Sequence, residues 1–265
     1  MLTYDEGCLV EQTPRSYERS GMSKPFLIIQ LRPEDETADG EFKAILKHGG
    51  LAIEETIRHR AEINGLPEIN LDELSGIIVG GSPFDVSTPA DQKNVIQRKV
   101  EAGFMALFRE IEIRDFPFLG CCSGSGLLGQ YCGANISKRY GEPVGGADIT
   151  LTNEGMRDPL LHGFPETFRV LLGHKEACDE LPPGTVLLAG NDRCPVQMFR
   201  LKHNIYATQF HPEGDPEVFT VRINVYKDHG YFPADTAEEL ISSIENEAVP
   251  NSNRILKRFV ARYRC

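Results

Sequence analysis

The stretch Phe118-Leu119-Gly120-Cys121-Cys122-Ser123-Gly124-Ser125-Gly126 decides the fold of this chain. A short apolar run leads into small residues on both sides of a cysteine, and Leu127 and Leu128 follow. This order predicts a strand, a sharp turn and a helix, which is the arrangement of a nucleophile elbow. Glycines suit such a turn because the strand and helix backbones approach closely and leave little room for side chains.

Cys122 is the candidate nucleophile of this turn. It would lie at the N-terminus of the helix, where the helix dipole favours the thiolate, and the thiolate is the attacking species. Its neighbour Cys121 is interpreted as a buried packing residue, because the alternation of side chains along a strand turns it away from Cys122.

A base and a group that orients it are predicted in Gln209-Phe210-His211-Pro212-Glu213. The apolar run from Ile205 to Phe210 predicts a buried strand. His211 and Glu213 lie two residues apart, so their side chains would share a face if the extended geometry continues. The Glu213 carboxylate could then hold the imidazole of His211 in one tautomer.

Together these motifs resemble the class I glutamine amidotransferase family, whose elbow reads Gly-x-Cys-x-Gly and whose second signature is a His-Pro-Glu run. The resemblance covers about residues 23 to 230. It implies a catalytic triad of Cys122, His211 and Glu213 that removes the γ-amide of glutamine through a thioester. It implies no cofactor and no metal ion.

A third segment, Gly76-Ile77-Ile78-Val79-Gly80-Gly81-Ser82-Pro83, is similar to the oxyanion loop of this family. The resemblance implies that the backbone amides of Gly81 and Ser123 form an oxyanion hole. Two such amides, facing the charge that develops on the carbonyl oxygen, can contribute about 3 to 4 kcal/mol each.

Two further positions concern substrate binding. Gly126 stands four residues after the nucleophile, where the family usually has Gln, so a wider pocket that admits a substituted amide is expected. His174 falls where relatives have a histidine on the substrate side, and the alternative interpretation as an ordinary loop histidine stays open.

Composition limits the partners of this site. The chain has 265 residues and a formal net charge of -11, so it lacks the basic surface that nucleic-acid binding requires. No apolar run reaches the roughly 18 residues of a membrane span. The 7 cysteines are odd in number and form no CxxC pair, which favours a reducing, cytoplasmic location.

Strand and helix patterns alternate along the body of the chain. Predicted strands lie at 26–31, 51–56 and 76–80, and predicted helices at 41–47, after polar residues 32–39, and at 96–111. This order predicts an α/β fold with an open, mostly parallel, flavodoxin-like sheet that has helices on both faces. Short strands after the elbow predict antiparallel additions. Residues 1–22 are interpreted as a flexible N-terminal extension, and 23–265 as a single domain.

Three functions are consistent with the sequence. The first is a free-standing cysteine hydrolase that cleaves the γ-glutamyl amide of glutamine or of another γ-glutamyl compound. The second is a glutaminase subunit that supplies ammonia to a separate synthetase, because the chain has no phosphate-binding loop of its own. The third is a catalytically silent binding protein with the same fold, and the presence of Cys122, His211 and Glu213 argues against it.

Overall fold

This computed structural model describes residues 23–227 and 232–265. The flexible extension expected at residues 1–22 lies outside the described residues, and the extent of a single domain at 23–265 stays a prediction. Among the helices of the described ranges, none combines the length and the apolar character of a membrane span.

The strands and helices alternate through the first half of the chain. The strands are, in chain order, β1 (Phe26–Gln30), β2 (Thr56–Arg60), β3 (Gly76–Val79), β4 (Phe118–Cys121), β5 (Ile136–Ser137), β6 (Glu142–Leu151), β7 (Thr167–His174), β8 (Ala177–Cys178), β9 (Thr185–Gly190), β10 (Met198–Leu201) and β11 (Ile205–Thr208). The α-helices are α1 (Asp35–Gly49), α2 (Ala61–Asn64), α3 (Val95–Arg114), α4 (Ser123–Tyr131), α5 (Asn153–Arg157), α6 (Pro216–Tyr226), α7 (Ala237–Ile244) and α8 (Pro250–Tyr263).

One sheet of 9 strands, in the order β2-β1-β3-β4-β11-β10-β9-β6-β7, organises these elements. The strands from β2 to β11 in this order run parallel to their neighbours. From β11 onward each neighbouring pair is antiparallel. The parallel half follows from the helices that connect its strands, because a parallel pair needs a long crossover. The predicted fold class is confirmed.

Helices cover both faces of the sheet. On one face, Phe104 of α3 belongs to the same buried cluster as Ile77 of β3. On the other face, Phe42 of α1 and Phe259 of α8 belong to the cluster that contains Ile78. Adjacent residues of one strand therefore serve two cores, which explains why the central strands are apolar throughout instead of alternating.

The ends of the two long helices of the parallel half have identifiable causes. Gly50 follows α1 with a φ of 64°, a left-handed conformation that glycine adopts without strain. The Asn94 side chain accepts a hydrogen bond of 2.7 Å from the Gln97 amide and so caps the start of α3. Both helices thus begin and end where the next strand can join the sheet.

The strand predicted at 51–56 is wrong. Residues Ile53–Glu55 form a short 3-10 turn, and the strand begins at Thr56. β2 lies at the edge of the sheet, where an exposed strand is commonly polar, so its Thr-Ile-Arg-His-Arg sequence carried little apolar signal. The helix expected around 41–47 begins earlier, at Asp35. Asp35 and Glu36 are exposed in its first turn, so the start of the helix has no apolar pattern to reveal it.

Candidate active site

Cys122 occupies the turn between β4 and α4. Its φ of 52° and ψ of -97° are strained for a residue with a side chain. The Cys122 amide donates to the Thr208 carbonyl at 2.7 Å, and this bond ties the turn to the end of β11. A Cβ at Gly120 would lie 2.8 Å from the backbone of Gly124, so the close approach of strand and helix requires a glycine there.

His211 and Glu213 lie just beyond the end of β11. The extended geometry stops at Thr208, and a turn closed by the Gly214 amide on the His211 carbonyl brings the two side chains together. His211 Nδ1 donates to Glu213 Oε1 at 2.6 Å, which leaves Nε2 as the free nitrogen of a neutral ring. Both side chains are buried, and the Phe219 ring packs edge-on against the imidazole.

Cys122 lines two cavities. The first, of about 40 Å³, is called the Arg222 cavity, and six of its lining residues are Cys122, His211, Phe219, Arg222, Ile223 and Tyr226. The second, of about 30 Å³, is called the Glu176 cavity, and six of its lining residues are Cys122, Ser123, Gly126, His174, Glu176 and Gln209. Cys122 therefore borders both cavities, and His211 lines only the first.

The loop after β3 carries the predicted oxyanion amide of Gly81. In this structure the Gly81 amide donates to the Glu41 carboxylate at 3.1 Å. A Cβ at Gly80 would overlap that same carboxylate, which explains why glycine is needed at this position. Ser123, the other predicted donor, is the first residue of α4, so its amide is one of the N-terminal amides that have no partner inside the helix.

A buried network of two carboxylates and two guanidinium groups lies beneath the loop. Glu41 Oε2 accepts from Arg32 Nε at 2.7 Å and lies 3.5 Å from Arg222 Nη2. Arg222 Nη2 also donates to Glu213 Oε1 at 2.9 Å. Burying these charges is tolerable because each has a partner of opposite sign. The network links α1, the loop after β1, and α6 to the carboxylate that orients His211.

Burial dominates the protonation of the site. Burial raises the pKa of the Cys122 thiol to about 11, although the nearby Arg32 charge opposes this. Burial also lowers the pKa of His211. Burial alone would raise the pKa of Glu213, but His211 and Arg222 together hold it well below its ordinary value. Both directions favour a protonated thiol and a neutral imidazole at neutral pH, because burial outweighs the effect of the Arg32 charge on the thiol.

The Glu176 cavity contains both weaker sequence candidates. A Cβ on Gly126 would meet Val86 Cγ2 at 3.5 Å and Glu176 Oε1 at 3.9 Å. The Glu176 carboxylate accepts from the amides of Val86 and Ser87 at 2.5 and 2.9 Å. Glu176 and Val86 therefore border the space that the absent Gln side chain would have used.

His174 is held from both sides of its ring. Its Nε2 lies 3.0 Å from Glu142 Oε2, and its Nδ1 lies 3.0 Å from the Glu176 carbonyl. A possible metal site was sought among the His, Cys, Asp and Glu side chains of the described residues. One group of three, Glu142, His174 and Cys194, has its possible metal-ligand atoms all within 4.8 Å of one another. All three are buried, and Glu142 also accepts from Asn191 and Gln197. Because these polar atoms already have partners, the group is explained as a support for the cavity wall.

Arg32, Glu41 and Arg222 belong to the site although sequence reasoning did not select them. Each comes from a segment far along the chain from Cys122, so no local motif joins them. A signal existed, because Glu41 lies three residues after Ala38 and four before Ile45, on the buried face of α1. A charged residue on an apolar helix face indicates a buried partner.

Comparisons with known proteins identify relatives of this chain. A model of the family described as "Glutamine amidotransferase class-I" matches residues 39–224. One subunit of the glutamine-hydrolyzing GMP synthase from Thermococcus kodakarensis is 29% identical over 151 residues, which cover 56% of this chain and 71% of that protein. The corresponding protein from Thermoplasma volcanium is 26% identical over 190 residues, which cover 69% of this chain and 84% of that protein.

A solved structure has the same fold. The crystal structure of a glutamine amidotransferase from Thermotoga maritima matches with a TM-score of 0.71 and covers 90% of this chain and 97% of that chain. The two sequences are 19% identical, so this likeness concerns the fold alone.

Proposed function

Because this chain belongs to the glutamine amidotransferase class-I family, we propose that it is a cysteine hydrolase that cleaves the γ-glutamyl amide bond of glutamine or of a γ-glutamyl compound. In this proposal Cys122 is the nucleophile, His211 the general base and acid, and Glu213 the group that orients His211. A cytoplasmic location stays a prediction.

One observation carries the proposal. A cysteine in a strained turn lines the same cavity as a buried histidine, and the ring of that histidine donates from Nδ1 to a buried carboxylate at 2.6 Å. A nucleophile, a base and an orienting group that come together at the carboxyl ends of parallel strands are what covalent hydrolysis requires.

The reaction proceeds in two halves. His211 Nε2 accepts the thiol proton while the Cys122 sulfur attacks the γ-carbonyl carbon. The bond to nitrogen then breaks as His211 returns the proton to the departing amine, and a γ-glutamyl thioester remains on Cys122. Water next gives a proton to His211 and attacks the thioester carbonyl. The bond from carbon to sulfur breaks, glutamate is released, and His211 returns the proton to the Cys122 sulfur, which restores the thiol.

The oxyanion hole would use the amides of Ser123 and Gly81. The Ser123 amide is supplied by the N-terminus of α4, where the helix dipole also favours negative charge. The Gly81 amide would have to exchange the Glu41 carboxylate for the substrate oxygen, because one N–H makes one good hydrogen bond.

A second candidate is a glutaminase subunit that supplies ammonia to a separate synthetase. It is favoured by the two relatives described above, each of which is named as one subunit of glutamine-hydrolyzing GMP synthase. The two candidates share the chemistry of Cys122 and differ in whether the chain turns over alone and whether the leaving group is ammonia.

The purified protein tests this proposal on glutamine and on a panel of γ-glutamyl amino acids, with released glutamate and amine measured separately. We expect both products in equal amounts, and we expect neither from the Cys122→Ala variant. Turnover only after a synthetase is added would favour the glutaminase subunit. No turnover on any substrate, with or without a synthetase, would contradict both candidates and favour a silent binding protein.

The pH dependence of kcat/KM follows from the lowered pKa of His211. The base must be neutral to accept the thiol proton, and a free histidine has a pKa of about 6.5. We therefore expect kcat/KM to be constant above that pH and to fall about tenfold per pH unit only below it. Initial rates between about pH 5 and pH 9 measure this.

Far-UV circular dichroism over the same pH range serves as the control for acid unfolding. If kcat/KM begins to fall while the pH is lowered but is still above 7, and the protein stays folded, the free site holds a thiolate and an imidazolium. That result would contradict the neutral thiol and neutral imidazole described above.

A further inference from the structure

The guanidinium of Arg222 has unused hydrogen-bonding capacity inside the Arg222 cavity. Arg222 is 6% exposed, and its Nη2 atom donates to Glu213. Its Nε and Nη1 atoms are buried and have no hydrogen-bond partner within residues 23–227 and 232–265. A buried donor without an acceptor lowers stability, so these atoms indicate a ligand that supplies acceptors.

The position of His211 defines which cavity receives the leaving group. His211 must give a proton to the departing nitrogen, so that nitrogen and its substituents lie on the histidine side of the scissile bond. His211 lines the Arg222 cavity and is absent from the residues that line the Glu176 cavity. The glutamyl part of the substrate accordingly belongs in the Glu176 cavity.

The remaining walls of the Arg222 cavity combine apolar side chains with Arg32, Ser82 and Tyr226. Phe219 and Ile223 project from the same helix as Arg222, and Val144 and Phe232 lie on other segments. Ammonia, the leaving group from glutamine, makes no use of an apolar wall. An amine that carries an apolar side chain would contact Phe219, Ile223 and Val144.

Arg222 is also fixed in place before a ligand arrives. Glu213 holds its Nη2 atom, Glu41 lies 3.5 Å from the same atom, and the Phe219 ring lies 5.1 Å from its central carbon. A group held in this way loses little conformational freedom on binding, so its hydrogen bonds contribute more to affinity.

From these observations we infer that the Arg222 cavity binds the leaving amine of the substrate, and that Arg222 donates from Nη1 and Nε to a carboxylate or carbonyl oxygen of that amine. The substrate class is then a γ-glutamyl amino acid or peptide whose second residue has an apolar side chain. This inference rests on the proposed γ-glutamyl hydrolysis. It adds that Arg222 determines specificity and does more than hold Glu213.

A pair of matched substrates tests the inference. γ-Glutamyl-leucine and γ-glutamyl-3-methylbutylamide have the same apolar side chain, and only the first has the carboxylate that Arg222 would bind. For the unaltered protein we expect kcat/KM to be at least about tenfold higher for γ-glutamyl-leucine. In the Arg222→Lys variant we expect the ratio of the two kcat/KM values to fall toward one. Arg254→Lys, an exposed change of the same kind on α8, is the control.

The outcomes separate the inference from the proposed function. If Arg222→Lys lowers both kcat/KM values by the same factor, Arg222 acts only through Glu213 and the inference is overturned. If the unaltered protein cleaves glutamine but does not distinguish the two amides, the inference fails while γ-glutamyl hydrolysis stands. If no substrate is cleaved, both fail.

A second measurement does not depend on the variant folding. Free leucine should compete with glutamine in the unaltered protein at least about tenfold more strongly than 3-methylbutylamine, because only leucine carries a carboxylate for Arg222. Equal inhibition by the two amines would overturn the assignment of Arg222.

Discussion

Replacing Cys122 with alanine is expected to lower kcat for γ-glutamyl hydrolysis by at least about 10⁴-fold, because the thioester cannot form without the thiol. The fold should survive, since alanine is smaller and the turn is held by backbone bonds such as that from Cys122 to Thr208. Initial rates of glutamate release measure the loss, and circular dichroism checks the fold.

Cys121→Ala is the matched control for this change. Cys121 is 2% exposed and belongs to the core on the α1 and α8 face, so its removal should cost about 1 kcal/mol of stability and leave kcat within about threefold. Mass spectrometry of protein quenched in acid during turnover should find the γ-glutamyl adduct on Cys122. An adduct on Cys121, or activity retained in Cys122→Ala, would contradict the proposed nucleophile.

Replacing Glu41 with alanine is expected to lower the free energy of unfolding by about 3 to 5 kcal/mol. The carboxylate is fully buried and accepts from Arg32, Gln30 and the Gly81 amide. Without it, Arg32 loses the carboxylate that it contacts and Arg222 keeps Glu213. Urea unfolding at neutral pH measures the change, and an unaltered slope would show that the denatured state is the same.

Glu36→Ala on the same helix removes the same charge at an exposed position and is the matched control. Glu36→Ala should lower the free energy of unfolding by less than about 1 kcal/mol, mainly because a negative charge near the helix N-terminus is lost. The loss in Glu41→Gln should lie between those of Glu36→Ala and Glu41→Ala. If Glu41→Ala proved no more destabilising than Glu36→Ala, the network would not hold the loop and α6 together as described.

The elbow and the central strands were predictable because their signals are local. Each signal lies within a short stretch, such as 76–80 or 116–128. These stretches contain runs of apolar residues and glycines at the places where two backbones meet. The alternation of these strands and helices also predicted a mostly parallel sheet. The edge strand β2 was misplaced for the opposite reason, since an exposed strand has no apolar run to reveal it.

The charge network was not predictable from local patterns. Arg32, Glu41 and Arg222 meet only after α1 and α6 pack beside each other on the sheet, and Glu41 and Arg222 are 181 residues apart. The positions of Glu41 and Arg222 on buried helix faces carried a signal, but the pairing depends on the folded arrangement. The engagement of the Gly81 amide by Glu41 is hidden in the same way, because a backbone amide has no sequence signature.

The strained backbone of Cys122 bears on how this chain has been kept through evolution. A residue other than glycine at a φ of 52° and a ψ of -97° costs about 1 to 3 kcal/mol, and glycine would relieve most of it. Selection for folding alone would therefore replace Cys122 with glycine. A lineage that used only the shape of the protein would gain stability from that single change. In the proposed function, the thiol of Cys122 is the reason for a residue other than glycine at this strained position.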